Sequence, residues 1–223
     1  MLKILIQALF LFFPWKIRRL ALNAIPGFSI HRDARVGLSL IRADECVLES
    51  KTYIGHLNYI GRLDRLQMDE DAVIGNLNWI GGLSTRLNSP AFRTKAKRRS
   101  DLIMRKASLV MSQHYIDCTD RIEFRPFCGL AGFRSQLLTH GVNPISARQT
   151  CSPITIGANT MIGTGVIILQ GVTIPDNCVV ASGAVVTHVA QQEYSMIGGN
   201  PAVHQRDISK NAKIFHRTVA TVM

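Results

Sequence analysis

The sequence predicts an all-β chain wound as a left-handed parallel β-helix, a hexapeptide-repeat solenoid with short helical extensions at its N- and C-terminal ends. Three observations carry that reading. Isoleucine or valine stands at 156, 162, 168, 174, 180 and 186, an unbroken spacing of six, which suits neither an α-helix nor an ordinary strand. The fourth position of each unit is Asn or Gly (Asn159, Gly165, Gly171, Asn177, Gly183), the residue types that best tolerate φ > 0. The fifth is small or β-branched (Thr160, Val166, Val172, Cys178, Ala184). A short strand then turns its aliphatic residue inward, a tight corner uses Asn or Gly, and three such sides close one triangular coil.

Upstream the pattern is looser but continuous. The segments YIGHLNYIGRL (53–63) and VIGNLNWIGGL (73–83) are copies of one unit 20 residues apart, one coil with two extra residues. Ile116, Ile122 and Cys128 keep the spacing of six, and Ile30 with Val36, then Ile41 with Val47, start the coiling near residue 28. The β-helix is therefore expected over 28–190, with extensions at 1–27 and 191–223. A stack of coils ends in open sheet edges unless something covers them, and helical extensions would serve. Two segments break the repeat, 84–112 and 140–153, and such breaks on solenoids become loops that often carry the binding face.

The first break holds Arg93, Lys95, Lys97, Arg98, Arg99, Arg105 and Lys106, part of a formal net charge of +11. That balance favours anionic partners: phosphorylated cofactors, anionic lipid headgroups or nucleic acid. Nucleic acid is the poorest of these, because no recognition motif or aromatic platform accompanies the charge. The five cysteines (Cys46, Cys118, Cys128, Cys151, Cys178) are odd in number, scattered and never at metal-ligand spacing, which points to a reducing, cytoplasmic setting with structural cysteines. The apolar run Ile4–Trp15 is interrupted by Gln7 and is too short to span a bilayer, which takes about 20 residues. Two readings stand for it: a helix packed on the protein's core or on a neighbouring subunit, or a helix lying in the headgroups of an anionic membrane, with Lys16, Arg18 and Arg19 following.

The stretch PITIGANTMIGTGVIILQGVTIPDNCVVASGAVVTH, followed by IGGNPA, resembles the hexapeptide-repeat acyltransferases, and among them the sugar and polysaccharide O-acetyltransferases. The likeness is close over 114–206 and weaker before. It implies a homotrimer with acetyl-CoA, or another acyl-CoA, as co-substrate in the groove between neighbouring β-helices, and no tightly bound cofactor or metal. It implies a catalytic histidine at His140, shortly before Pro153-Ile154-Thr155-Ile156-Gly157. Acceptor contacts are expected at His114 and Asp117. Cofactor contacts are expected at Thr164, Ser182, Thr187 and Arg206, with Ser182 in place of the usual alanine.

Chemistry asks for such a histidine independently. A sugar hydroxyl is a poor nucleophile at neutral pH, and its attack on a thioester needs a base titrating near 7. That base needs a partner on its other ring nitrogen, for which Asp117 and Asp120 are both candidates. The expected function is acyl transfer, chiefly acetyl, to a hydroxyl of a saccharide or lipid-linked glycan, in the cytoplasm or at the inner face of its membrane. Two other readings compete: a carbonic-anhydrase-like zinc enzyme, which needs a third histidine beside His114 and His140, and a membrane-bound scaffold without catalysis.

Overall fold

The computed structural model describes residues 2–87, 89–92, 97–188 and 192–219. The chain is a stack of parallel coils with three faces. The third face carries the functional region and is built from strands within Leu40–Leu48 and Tyr59–Met68, then Trp79–Gly82, Tyr115–Cys118, Gln136–Leu138, Ile167–Leu169 and Val185–Val186. Leu40–Leu48 and Tyr59–Met68 run on around a corner into the first face, where Asp101–Met104, Ile122–Phe124, Ile154–Ile156 and Thr173–Ile174 follow.

The residues expected inside are inside. Ile156, Ile162, Ile168, Ile174, Val180 and Val186 are buried, as are Thr160, Val166, Val172, Cys178 and Ala184. The five Asn and Gly corners all have positive φ, from 56° at Asn159 to 81° at Gly171. Ile116, Ile122 and Cys128 lie in the same core, and all five cysteines are buried. One upstream position differs: Val47 is half-buried on the outside, and its neighbours Cys46 and Leu48 point inward. The parallel strand Ser195–Gly199 prolongs the stack past residue 190. Among its described residues the C-terminal extension holds no α-helix: Ser195–Gly199 folds back as an antiparallel hairpin with Ala202–Asp207, followed by a 3-10 turn at Lys213–Phe215.

Inside one corner a column of buried side chains replaces the apolar filling. Asn58 donates through its backbone N and Nδ2 to Ser39 Oγ (2.9 and 3.2 Å), and Asn78 does the same to Asn58 Oδ1 (2.9 and 3.0 Å). His114 N donates to Asn78 Oδ1 (2.9 Å), Ser135 N to His114 Nδ1 (3.2 Å), and Val166 N to Ser135 Oγ (3.2 Å). Each coil supplies one rung, so the rungs hydrogen-bond along the stack, with His114 Nε2 left without a partner among the described residues.

The open end of the first coil is closed by two helices, α1 (Leu2–Leu9) and α2 (Trp15–Asn23), separated at Pro14. Their side chains imitate the coil that is missing. Gln7 gives Nε2 to Ile41 O (2.7 Å) and takes Ile41 N on Oε1 (2.8 Å), as a neighbouring strand would. Asn23 does likewise for Ile30 (3.1 and 2.7 Å). Arg18, buried, donates to the carbonyls of Val36 (2.9 Å), Gly37 (2.8 Å) and Ser39 (3.2 Å), and Lys3 to those of Ala43 (3.0 Å) and Asp44 (2.9 Å). All three sides of the coil are thereby satisfied. Replacing Arg18 by Met leaves three carbonyls without their donor, so it is expected to lower unfolding free energy by roughly 2–4 kcal/mol. Urea unfolding of Arg18→Met checks this; an unchanged midpoint would show that the cap is ornamental.

Candidate active site

Both breaks in the repeat leave from one corner, where the third face turns into the first. The first departs after Trp79–Gly82 and is shorter than expected: residues 101–104 and 109–110 are regular coil strands, so the excursion covers only 83–100. Its ends are pinned by Asp64, a buried carboxylate that accepts from Ser84 Oγ (2.7 Å), Thr85 N (2.8 Å), Thr85 Oγ1 (2.9 Å) and Ser100 N (2.9 Å). Of its cations, Arg93 and Lys95 lie outside the described residues. The second break departs after Gln136–Leu138 and is a β-hairpin, His140–Asn143 against Arg148–Cys151. The two excursions meet, because the short 3-10 turn Pro90–Phe92 packs on Arg148–Cys151.

His140 opens the hairpin, and Asp117 lies one coil away, opposite Leu138 in the register. Asp117 Oδ2 is 2.6 Å from His140 Nδ1. Thr119 N (3.1 Å) and Oγ1 (2.7 Å) donate to Oδ1, while Thr139 N (3.1 Å) and His140 N (3.2 Å) donate to Oδ2. Thr139 also donates from Oγ1 to Asp117 O (2.7 Å). The carboxylate is buried and the imidazole ring, at 44% exposure, faces the outside.

Electrostatics follow the geometry. The hydrogen bond to Asp117 lifts the His140 pKa above its ordinary 6.5, against an opposing pull from burial. Burial pushes Asp117 upward, yet hydrogen bonds from His140 and Thr119 outweigh it and hold its pKa below 3.8. An ionised Asp117 requires the proton on Nδ1, leaving the Nε2 lone pair available to a substrate. Phe92 stands edge-on to the imidazole at 6.4 Å, and Arg98 lies over the Phe92 ring at 5.1 Å. Arg98 also donates to Thr119 O (2.6 Å) and to Leu83 O, so it braces the first excursion against the strand that carries Asp117.

The other expected site residues are dispersed. His114, 1% exposed, is a rung of the polar column, and burial drives its pKa down to about 4 against a weaker upward pull from Gly132. It also lines a cavity of about 490 Å³ together with Trp79, Tyr115 and Gln136. Asp117 is held by His140, Thr119 and Thr139. Asp120 accepts from Arg121 N (2.8 Å) and leaves the histidine to Asp117. Thr164 and Ser182 share one corner in adjacent coils, joined by Thr164 N donating to Ser182 Oγ (3.2 Å), and Thr164 Oγ1 donates to Phe133 O (2.8 Å). Thr187 follows the last strand of the third face, where its hydroxyl meets His188 Nδ1 (2.9 Å). Arg206 is exposed on the C-terminal hairpin. Phe92, Arg98, Thr119 and Thr139 carry no periodic signal that marks them in the sequence. Among the described residues no three His, Cys, Asp or Glu side chains gather as a metal site requires.

Residues 153–188 match the family described as the hexapeptide repeat of succinyl-transferase. Among solved structures, the chain is similar to the UDP-N-acetylglucosamine acyltransferase of Campylobacter jejuni at 14% identity and a TM-score of 0.55, covering 81% of this chain and 66% of that one. It is similar to a polysialic acid O-acetyltransferase at 16% identity and a TM-score of 0.53, covering 86% and 90%. At a TM-score of 0.49 and 16% identity it also matches a hexapeptide-repeat acetyltransferase of Vibrio cholerae complexed with acetyl-coenzyme A, covering 93% and 86%. The fold is that of the hexapeptide-repeat β-helices.

The pair has a defined pH window. A histidine with a raised folded pKa contributes its full stabilisation below 6.5 and loses it as pH rises through the folded value. Asp117 contributes above 3.8 and loses its contribution as pH falls through its own lowered value. Proton NMR of His140 is expected to show titration above 6.5 in the wild type and a clear downward shift in Asp117→Asn. An identical titration in both proteins would remove Asp117 as its partner.

Proposed function

We propose that this hexapeptide-repeat chain is an acyl-CoA-dependent O-acyltransferase that moves an acyl group, chiefly acetyl, to a hydroxyl of a saccharide or lipid-linked glycan. The observation that carries the reading is the 2.6 Å pair between His140 Nδ1 and the buried Asp117 carboxylate, set where the coil is interrupted. The family matched over 153–188 and the acyltransferases that share the fold support the reaction class.

In this reading His140 Nε2 takes the proton of the acceptor hydroxyl as its oxygen bonds to the thioester carbonyl carbon. The tetrahedral adduct collapses by breaking the carbon–sulfur bond. The CoA thiolate leaves with the electron pair and recovers the proton from His140, so no covalent acyl-enzyme forms. Asp117 fixes the tautomer and stabilises the imidazolium while it exists. Asp117 cannot act on substrate itself, being buried with both oxygens occupied. The donor would lie along the third face in a groove completed by a second subunit of a homotrimer, near Thr164, Ser182 and Thr187, with Arg206 supplying charge for a phosphate. The setting is cytoplasmic, at the inner face of the membrane when the acceptor is lipid-linked.

A single acid–base residue contributes about 10²–10⁴-fold. His140→Ala is therefore expected to lower kcat by that range in an assay of CoA release from acetyl-CoA with a soluble oligosaccharide acceptor, while its melting temperature stays near the wild type. Asp117→Asn should lower kcat less. Undiminished turnover in His140→Ala would overturn the assignment. Acetyl-CoA should also raise the melting temperature of the wild-type protein by mass action, and a scaffold without catalysis would show no such rise.

A further inference from the structure

The cap that closes the first coil has two faces, and only one is used by the fold. Lys3 and Gln7 on α1, and Arg18 and Leu22 on α2, face the coil. On the opposite side Leu5, Leu9 (70% exposed), Phe12 (83%), Phe13, Ile17 and Leu20 (63%) stand in solvent. Single exposed apolar residues are ordinary, but six on one short segment form a patch that marks an interaction surface. Its electrostatics specify the partner. Of the cations that precede the first acidic residue, Asp33, Lys16 and Arg32 are exposed and Arg19 is half-buried, while Lys3 and Arg18 donate to the coil. Among the described residues no helix is long and apolar enough to cross a membrane, so a surface seat is the geometry open to α1 and α2.

Beside the patch, between the cap and the first excursion, lies a cavity of about 410 Å³ whose wall includes Lys3, Arg42, Arg62, Arg86 and Asp44. Asp44 is paired with Arg86 at 3.2 Å. The side chains of Arg42 and Arg62 have no hydrogen-bond or ion-pair partner among the described residues. They come together because a bulge interrupts the register: Arg42 pairs with Gly61 and Ala43 with Leu63, so Arg62 is the extra residue, at φ 59°. Bulges of this kind re-aim a side chain. Two unpartnered guanidinium groups beside a lysine suit a phosphate.

We infer that the cap docks on an anionic lipid bilayer and that Lys3, Arg42 and Arg62 hold the phosphate of a lipid headgroup at its surface. The β-helix then stands end-on with its coils stacked away from the membrane. Arg42 shares one register column with Gly61, Gly81 and Asp117, so the phosphate site and the Asp117–His140 pair lie three coils apart, about 14 Å at the usual strand spacing. A saccharide carried on a lipid phosphate would reach His140 along that column. The bilayer seat stands without the acyl-transfer reading; the delivery of a lipid-carried acceptor rests on it.

The test is co-sedimentation of the full chain with vesicles of phosphatidylcholine alone and of an equal mixture of phosphatidylcholine and phosphatidylglycerol. The wild type should bind the mixed vesicles far more tightly. Phe12→Ser with Leu20→Ser should weaken binding to both kinds by at least about tenfold. Arg42→Gln with Arg62→Gln should remove about thirtyfold of the preference for the anionic vesicles and leave phosphatidylcholine binding unchanged. Each single arginine variant, checked for fold by circular dichroism, should remove part of it. Equal binding to both vesicles, or undiminished binding in Phe12→Ser/Leu20→Ser, would overturn the inference. Release of the protein by soluble glycerol phosphate would overturn the lipid as the source of the phosphate. Acyl transfer to a soluble saccharide separates the two readings: vesicle binding can fail with that activity intact, and His140→Ala can leave activity intact with vesicle binding unimpaired.

Discussion

Every strand of the β-helix depends on having a coil, or a substitute for one, above and below it. The strands are two to ten residues long, far too short to persist alone, and their backbone groups are satisfied between neighbouring coils. The rule applies equally to the places where a neighbour is missing. At the N-terminal end Gln7, Arg18 and Asn23 stand in for the absent coil. At the other end a hairpin does so with backbone, Ala202–Asp207 folding back on Ser195–Gly199. Inside, the column from Ser39 through His114 to Ser135 continues the same pairing with side chains.

A corner is the cheapest place to interrupt such a stack, because it lies outside the strand ladders. Both excursions use one corner, and this brings a histidine on the second within reach of a carboxylate on a coil strand. The strand supplies rigidity, since Asp117 is held by six donors, from Thr119, Thr139 and His140. The hairpin supplies access, since the ring of His140 is partly exposed. The first excursion adds Phe92 and Arg98 around the ring, its two ends tied to Asp64. A site assembled this way combines a fixed imidazole with surroundings that loops can vary.

The fold was legible where the chain obeys steric preference and obscure where it does not. Asn159, Gly165, Gly171, Asn177 and Gly183 advertise their left-handed corners. The upstream coils place Leu57, Arg62, Leu77, Gln113, Phe127 and Arg134 in the same conformation, each at a cost of about 1–2 kcal/mol, which stacking offsets and which no residue-type pattern reveals. The family resemblance pointed to His140 from its place before the regular coils, and the structure sets the Asp117 carboxylate beside its ring. Its partner was narrowed to Asp117 or Asp120, and the register decides: Ile116 lies opposite Leu137, so Asp117 lies opposite Leu138, two residues short of the histidine. Phe92 and Arg98 were illegible because they arrive from a non-repeating segment. For the apolar N-terminus the alternatives were packing and membrane contact, and the helices pack with one face and leave the other exposed. The C-terminal extension was expected to be helical, but a hairpin closes that edge with backbone groups directly.

On the proposed reading, one proton shared between His140 and Asp117 governs the chemistry. Measuring kcat/KM for acyl transfer across pH, and the NMR titration of His140 in the same free enzyme, compares the two directly. An acid limb is expected whose pKa equals that of His140, above 6.5, with both falling together in Asp117→Asn. An acid limb that stays in place while the His140 titration moves would contradict it.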